Sequence, residues 1–164
     1  MKTVLIVAIL LLNTLLLKAQ RITYSDLKYI ITHRVAQVDD YFSKRGYSFG
    51  GVDTFGVDRN HYSYSYIKRG KTSKSDKYVG KEAVNNVFCK SSFYTNSQSE
   101  YLQFKSDIIK NGFKFSETRL DKSGSLINVY SKGVYSLEIW IRRNKPNDFT
   151  EYNIWLINKE QVSD

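Results

Sequence analysis

Hydrophobic side chains recur with helical spacing in two segments of the chain. The first segment contains Leu27, Ile30, Ile31, Val35, Val38 and Phe42, and the second contains Tyr101, Phe104 and Ile108. Steps of three and four residues place side chains on one face of an α-helix. We therefore predict two amphipathic helices, one ending before Gly46 and one before Gly112. Glycine readily adopts the left-handed conformation that closes a helix.

The starts of both helices also carry local signals. Ser97 followed by Glu100 has the spacing of a capping box, in which the hydroxyl accepts one backbone N–H and the carboxylate accepts another. Thr23 with Asp26 is a weaker version of the same pattern. These pairs predict that the helices begin just after Thr23 and Ser97.

Alternating apolar and polar residues predict β-strands after each helix. Each helix-ending glycine is followed by an aromatic–polar–aromatic triplet, which starts a strand. Further strands are predicted at His61–Lys68, within Val84–Tyr94, and at Leu126–Tyr130, Val134–Arg143 and Phe149–Asn158. A polar turn at 144–148 connects the last two strands. The predicted order is helix–strand–strand–strand, repeated over residues 23–94 and 95–160.

This order predicts an α+β fold made of two αβββ repeats. A helix followed by short antiparallel strands buries one face of the sheet beneath the helix. Two such units give one antiparallel sheet with both helices on one face, or two small sheets that meet at an angle. The order of elements resembles the tandem repeats of the beta-lactamase-inhibitory-protein type. That resemblance implies a domain that binds other proteins.

The first residues have the features of an export signal. A basic start at Lys2 precedes an apolar run from Val4 to Leu17, and Ala19 lies at a suitable cleavage position. The run is shorter than the roughly 20 residues of a membrane span, although an uncleaved anchor is the alternative. We predict a signal peptide at 1–19, a single mature domain at 20–164, and a location in the periplasm or outside the cell. The Lys18-Ala19-Gln20 ending and the Tyr-, Lys- and Asn-rich body resemble exported proteins of Bacteroidota.

Composition excludes several protein classes. The chain has 164 residues, one Pro and one Cys, which is not typical of collagen, low-complexity disorder or a disulfide scaffold. The single cysteine, Cys89, is predicted to be a buried thiol, and an intermolecular disulfide or a reactive thiol are the alternatives. A mature domain of this length buries enough surface to fold without a metal or a disulfide.

No combination of residues predicts catalysis, a metal or a cofactor. His33 and His61 lack metal-ligand spacing with each other or with Cys89. The G-x-S-x-G match centred on Ser48 follows a predicted helix and precedes a strand, the reverse of a nucleophile elbow. Gly70-Lys71-Thr72 lacks the upstream glycine of a phosphate-binding loop. We therefore predict a protein that is not an enzyme, and an enzyme of unrecognised type remains an alternative.

Positive charge is concentrated in one predicted loop. The formal net charge is +9, and the segment 68–81 contains six basic residues and one acidic residue. Its basic residues are Lys68, Arg69, Lys71, Lys74, Lys77 and Lys81. Gly and Ser in the same segment indicate an exposed loop. It is either a solvated loop or a binding site for an anionic glycan, lipid or acidic protein surface. Nucleic acid is not expected as a partner of an exported chain.

Two tryptophans mark a second candidate surface. Trp140 and Trp155 lie on neighbouring predicted strands, on the face opposite the aliphatic residues, together with Glu138, Arg142 and Asn153. If the aliphatic face meets the helices, the indoles point away from them, and a pair of exposed indoles indicates a contact surface. Alternatively, the first repeat or a second copy covers that face.

The sequence therefore predicts an exported binding module that acts on another protein through Trp140, Trp155 and Arg142, assisted by the basic loop 68–81. A binder of anionic envelope glycans or lipids through the basic loop is the alternative.

Overall fold

A computed structural model describes residues 21–55, 61–68, 77–84, 87–144 and 149–161. The predicted signal peptide at 1–19 lies outside these residues, as does most of the predicted basic loop. Within the described chain, no helix combines the length and the apolar character needed to span a membrane.

Three α-helices are described: α1 (Tyr24–Thr32), α2 (Val35–Ser43) and α3 (Gln98–Lys110). The prediction of one helix before Gly46 was wrong, because His33 and Arg34 are both extended and divide it into α1 and α2. At the break, the Thr32 hydroxyl donates a hydrogen bond to the Lys28 carbonyl over 2.9 Å. The break lets α1 pack on one part of the sheet and α2 on another.

The predicted helix ends are largely confirmed. Thr23 and Asp26 form both hydrogen bonds of a capping box. The Ser97 side chain accepts the backbone N–H of Glu100, but the Glu100 carboxylate does not return the contact, because Lys77 and Thr95 bind it instead. The two helix-ending glycines, 46 and 112, have φ angles of +78° and +84°.

Eight strands form one antiparallel sheet in the order β1-β2-β3-β4-β8-β7-β6-β5. The strands are β1 (Ser48–Phe55), β2 (His61–Lys68), β3 (Lys77–Val84), β4 (Val87–Thr95), β5 (Lys114–Leu120), β6 (Leu126–Lys132), β7 (Tyr135–Asn144) and β8 (Phe149–Asn158). The α+β class is confirmed. Each half has four strands rather than the predicted three, and β3 occupies residues assigned to the basic loop.

The two halves of the chain join through one pair of strands. β4 of the first half is antiparallel to β8 of the second, with Phe93 opposite Ile154 and Ser91 opposite Leu156. The sheet is therefore continuous, and the alternative of two sheets meeting at an angle is wrong.

The core lies between the three helices and one face of the sheet. Leu27 and Ile30 of α1, Phe42 of α2, and Phe104 and Ile108 of α3 are buried in it. The sheet contributes alternating residues, with Tyr66, Val79, Phe93, Leu137, Ile139, Ile154 and Leu156 at the centre. Among the described residues, no helix covers the other face of the sheet, and that face carries the candidate site.

Candidate functional site

Strand alternation places both indoles on the face of the sheet that the helices do not cover. Ile139 and Ile154 are fully buried beneath the helices, and their sequence neighbours Trp140 and Trp155 project the opposite way. Trp140 lies opposite Asn153, and Trp155 lies opposite Glu138. The two indoles are therefore diagonal neighbours on β7 and β8, and both are partly buried. The first half does not cover them, because it extends the sheet sideways.

A groove of about 460 Å³ surrounds the two indoles. Its lining comes from β3, β4, β7, β8 and the turn between β5 and β6, and consists of Glu82, Lys90, Asp121, Ser123, Ser125, Glu138, Trp140, Arg142, Asn153, Trp155 and Ile157. The row of Arg142 and the row of Ile157 are six residue steps apart along β7 and β8. At about 3.3 Å per residue, the groove is roughly 20 Å long. Its volume lies within the range of ligand-binding clefts.

The β7 side of the groove is held by ion pairs. Glu138 accepts hydrogen bonds from Trp140 Nε1 over 3.1 Å and from Arg119 Nη2 over 2.7 Å. Arg142 donates from Nε and Nη2 to one oxygen of Glu151, over 3.0 and 2.6 Å. Burial raises the pKa of Glu151, but hydrogen bonds from Asn144 and Arg142 outweigh it, and the net pKa is lowered. These contacts fix Trp140 and Arg142 before any ligand arrives.

The turn between β5 and β6 closes one end of the groove. Asp121 accepts hydrogen bonds from the backbone N–H groups of Ser123 and Ser125, over 2.9 and 2.7 Å, and from the Ser123 hydroxyl. These bonds, led by the Ser123 side chain, lower the pKa of Asp121. Gly124 takes the positive φ of +80° that this tight turn requires. The turn therefore presents a fixed carboxylate to the groove.

The opposite side of the groove carries polar groups without such partners. Glu82 on β3 lies across from Lys90 on β4, and both point into the groove. Neither side chain forms a hydrogen bond or ion pair with the described part of the chain, and the same holds for the Asn153 amide and Trp155 Nε1. Burial raises the pKa of Glu82, and the charge of Lys90 opposes that rise. Unused donors and acceptors therefore gather around Trp155.

Of the predicted basic residues in the segment 68–81, the three that the structure describes do not share a surface with the indoles. Lys68 donates to the Arg45 carbonyl over 3.1 Å, and burial, with help from Lys77 and Arg45, lowers its pKa. Lys77 pairs with Glu100. Arg69, Lys71 and Lys74 lie outside the described residues.

Lys81 does not belong to an exposed loop, contrary to the prediction. It lies in β3, fully buried on the helix-covered face. Its ammonium donates to the carbonyl oxygens of Ile30 and Ile31 at the end of α1. Burial lowers the pKa of Lys81 to about 8. Side chains two residues apart in a strand point to the same face, so Lys81 shares the helix-covered face with the buried Val79.

Strand alternation had already placed Glu138, Arg142 and Asn153 beside the indoles. Sequence reasoning missed the contribution of Glu82 and Lys90, because it joined no strand of the first half to β8. It also missed Asp121, which reaches the groove only through the turn between β5 and β6.

The other residues considered in the sequence, Ser48, His33 and Cys89, do not line the groove. Ser48 is exposed at the start of β1, after a helix, as predicted. The His33 ring stacks on Tyr29 with ring centres 3.6 Å apart, and Cys89 is buried. The side chain of His61 lies outside the described parts. Among the side chains that are described, no three of His, Cys, Asp or Glu lie close enough together to hold a metal ion.

Comparison of the chain with known protein families, curated proteins and solved structures finds no match.

Proposed function

We propose that this chain is an exported, non-enzymatic binding protein that receives its ligand in the groove around Trp140 and Trp155. The observation that carries the proposal is that both tryptophans of the chain line one groove of about 460 Å³, on the face without helices. Aromatic side chains with a polar edge are typical of binding sites, because they combine a large apolar area with few flexible torsions.

The rigidity of the groove supports binding. Glu138 fixes the Trp140 indole, and Glu151 fixes the Arg142 guanidinium. A ligand therefore loses little of its binding energy to ordering these side chains, which is the benefit of a preorganised site.

The mixture of charges around the groove does not favour an anionic ligand. Positive and negative groups alternate around the groove, as Glu82 opposite Lys90 and Arg142 bonded to Glu151 show. The net positive charge of the chain is therefore not concentrated in the groove. This favours the groove over the basic segment as the principal site.

A partner protein, the ligand that the sequence predicts, is one candidate for this groove. Tyr78 and Tyr94 lie on the same face of the sheet and pack edge to face, with ring centres 5.4 Å apart. Tyr78 is 37% exposed. Tyr, Trp and Arg are the residues most enriched at the centres of protein interfaces, so this pair extends the aromatic surface that a partner protein would contact.

Export and repeated organisation belong to the same proposal. The basic and apolar start of the chain supports secretion to the periplasm or the exterior. Helical residues precede four strands in both halves, as two helices in the first and one in the second, which supports an origin from a repeated unit with β4 and β8 at the junction.

Tryptophan accessibility tests the proposal, because Trp140 and Trp155 are the only tryptophans in the chain. The mature protein would carry 5-hydroxytryptophan in place of tryptophan, because this analogue is excited at wavelengths that the tryptophans of other proteins do not absorb. Acrylamide quenching of its emission would be measured with and without envelope extract from the cells that naturally produce the protein. We expect the extract to protect the indoles from acrylamide. The control adds extract that was first depleted by a column carrying the mature protein. Equal quenching with intact and depleted extract would contradict a ligand in this groove.

A further inference from the structure

One side of the groove presents unused hydrogen-bonding groups next to a flat apolar ring. Glu82, Lys90, the Asn153 amide and Trp155 Nε1 all face this space, and none of them is hydrogen-bonded within the described chain. The first supplies only acceptors, the second only donors, and the amide supplies both. The ligand that matches this set carries groups that both donate and accept, close to an apolar surface.

The charges around the groove nearly balance, with one excess negative charge on Asp121. Glu138 is balanced by Arg119, and Arg142 by Glu151, at 2.7 and 2.6 Å. Glu82 faces Lys90 across the β3–β4 pair. Asp121 is held by backbone and hydroxyl donors, and its charge also acts on Arg142. An anion or a cation would meet groups of its own sign as well as the opposite sign.

The lining also differs from the centre of a protein interface. Such centres are depleted in Lys, Glu and Asp, whereas the groove contains Glu82, Lys90, Asp121 and Glu138. An uncharged ligand with many hydroxyl groups suits this lining, because each hydroxyl both donates and accepts a hydrogen bond. Sugar rings add C–H faces that can lie flat on an indole.

On these grounds we propose that the groove binds an uncharged oligosaccharide, with one sugar ring stacked on Trp155 and hydroxyl groups bonded to Asn153, Glu82 and Lys90. The inference rests on the proposed binding function and names the chemical class of its ligand. The length of about 20 Å along the strands suits a short chain of sugars rather than a single one. Trp140, on the same groove one row away, supplies a second stacking surface.

The test is a fluorescence titration of the mature chain with four probes. These are soluble, uncharged hexasaccharides of glucose, xylose, mannose and N-acetylglucosamine. We expect at least one of them to change the tryptophan emission saturably. Raising sodium chloride from about 50 mM to about 500 mM should leave the dissociation constant nearly unchanged, since salt screens only charged partners. No saturable change with any of the four probes would overturn the inference.

Variants locate the bound sugar. Trp155→Ala should weaken binding about tenfold or more, as loss of an aromatic anchor does, and Asn153→Ala should weaken it less. Phe115→Ala is the matched control, because Phe115 is 58% exposed and lies outside the groove. Thermal melting of each variant verifies folding, and Trp155→Phe keeps an aromatic ring if the alanine variant fails to fold. Equal affinity of the Trp155 and Phe115 variants would overturn the assignment.

The chemical nature of the molecule in the envelope extract that protects the indoles separates the proposed binding function from the saccharide inference. Protection that survives protease but not periodate oxidation of glycans supports the saccharide. Protection lost after protease alone would overturn the saccharide inference and leave the binding function intact. Absence of any protection would overturn both.

Discussion

The Lys81 ammonium donates a hydrogen bond to the Ile31 carbonyl over 3.2 Å, beneath the end of α1. Helix α1 stops at Thr32, so the carbonyls of its last turn have no partner within the helix. A cation at this position satisfies two of them and complements the negative end of the helix dipole. Lys81, in the middle of β3, thus caps the C-terminal end of α1.

Lys81 should make stability increase with pH under alkaline conditions. Its pKa falls from 10.5 to about 8 on folding, so the unfolded chain binds more protons between these values. The free energy of unfolding should therefore rise from about pH 8 to about pH 10.5. Urea unfolding at a series of pH values measures this rise. Lys81→Met should flatten the profile, whereas Lys110→Met, at an exposed site, should not. A rise that persists in Lys81→Met would assign it to another group.

Asp26 should be among the most costly single residues to remove. Its carboxylate accepts hydrogen bonds from Thr23, Tyr41 and Arg45, and its side chain is 5% exposed. Asp26→Ala would remove the buried carboxylate that pairs with the Arg45 guanidinium and accepts from Thr23 and Tyr41, at a cost of about 3–5 kcal/mol. Urea unfolding measures the cost.

Asp40→Ala is the control for Asp26. Asp40 pairs with Lys44 on the same helix, but both side chains are well exposed, so the loss should be about 0.5 kcal/mol or less. Similar costs for the two variants would show that burial of Asp26 contributes little.

Gly112→Val should destabilise the protein by about 1–2 kcal/mol through the backbone alone. Gly112 has a φ of +84°, and a Cβ there would meet nothing within 4 Å, so the penalty is the left-handed conformation and not a clash. Thermal melting measures the loss. Gly112→Asn should cost less, because asparagine tolerates this conformation better. Melting of the valine variant at the wild-type temperature would refute this account of the helix end.

Glu82→Gln should stabilise the free protein at neutral pH. Burial raises the pKa of Glu82, so the unfolded state loses this proton at lower pH than the folded state does. The free energy of unfolding therefore falls as pH rises from about 4.5 through the raised pKa. The variant should lack this fall when unfolding is measured from pH 4 to 7.

Asp121→Asn serves as the opposite case to Glu82→Gln. The pKa of Asp121 is lowered on folding, so its carboxylate favours folding above its ordinary pKa. Its removal should not raise stability at neutral pH. A stabilised Asp121→Asn together with an unchanged Glu82→Gln would reverse our assignment of the two carboxylates.

Local patterns in the sequence determined the main elements of the fold. Helical spacing gave the buried face of α3, and Gly112 gave its end. Alternation along β7 and β8 put Trp140 and Trp155 opposite Ile139 and Ile154, because side chains of a strand point to alternate faces whatever the strand pairs with. Half of the groove was therefore visible in the sequence, since Glu138, Arg142 and Asn153 follow from the same alternation.

The tertiary structure alone decided how the halves join. Pairing of β4 with β8 connects residues far apart in sequence, and such pairing leaves no local pattern. It is this pairing that brings Glu82 and Lys90 to the Trp155 side of the groove. Strand β3 escaped prediction for a related reason. Its glycine and lysines indicate a loop by composition, whereas burial of Lys81 is possible only because the carbonyl groups at the end of α1 lie within reach of its ammonium.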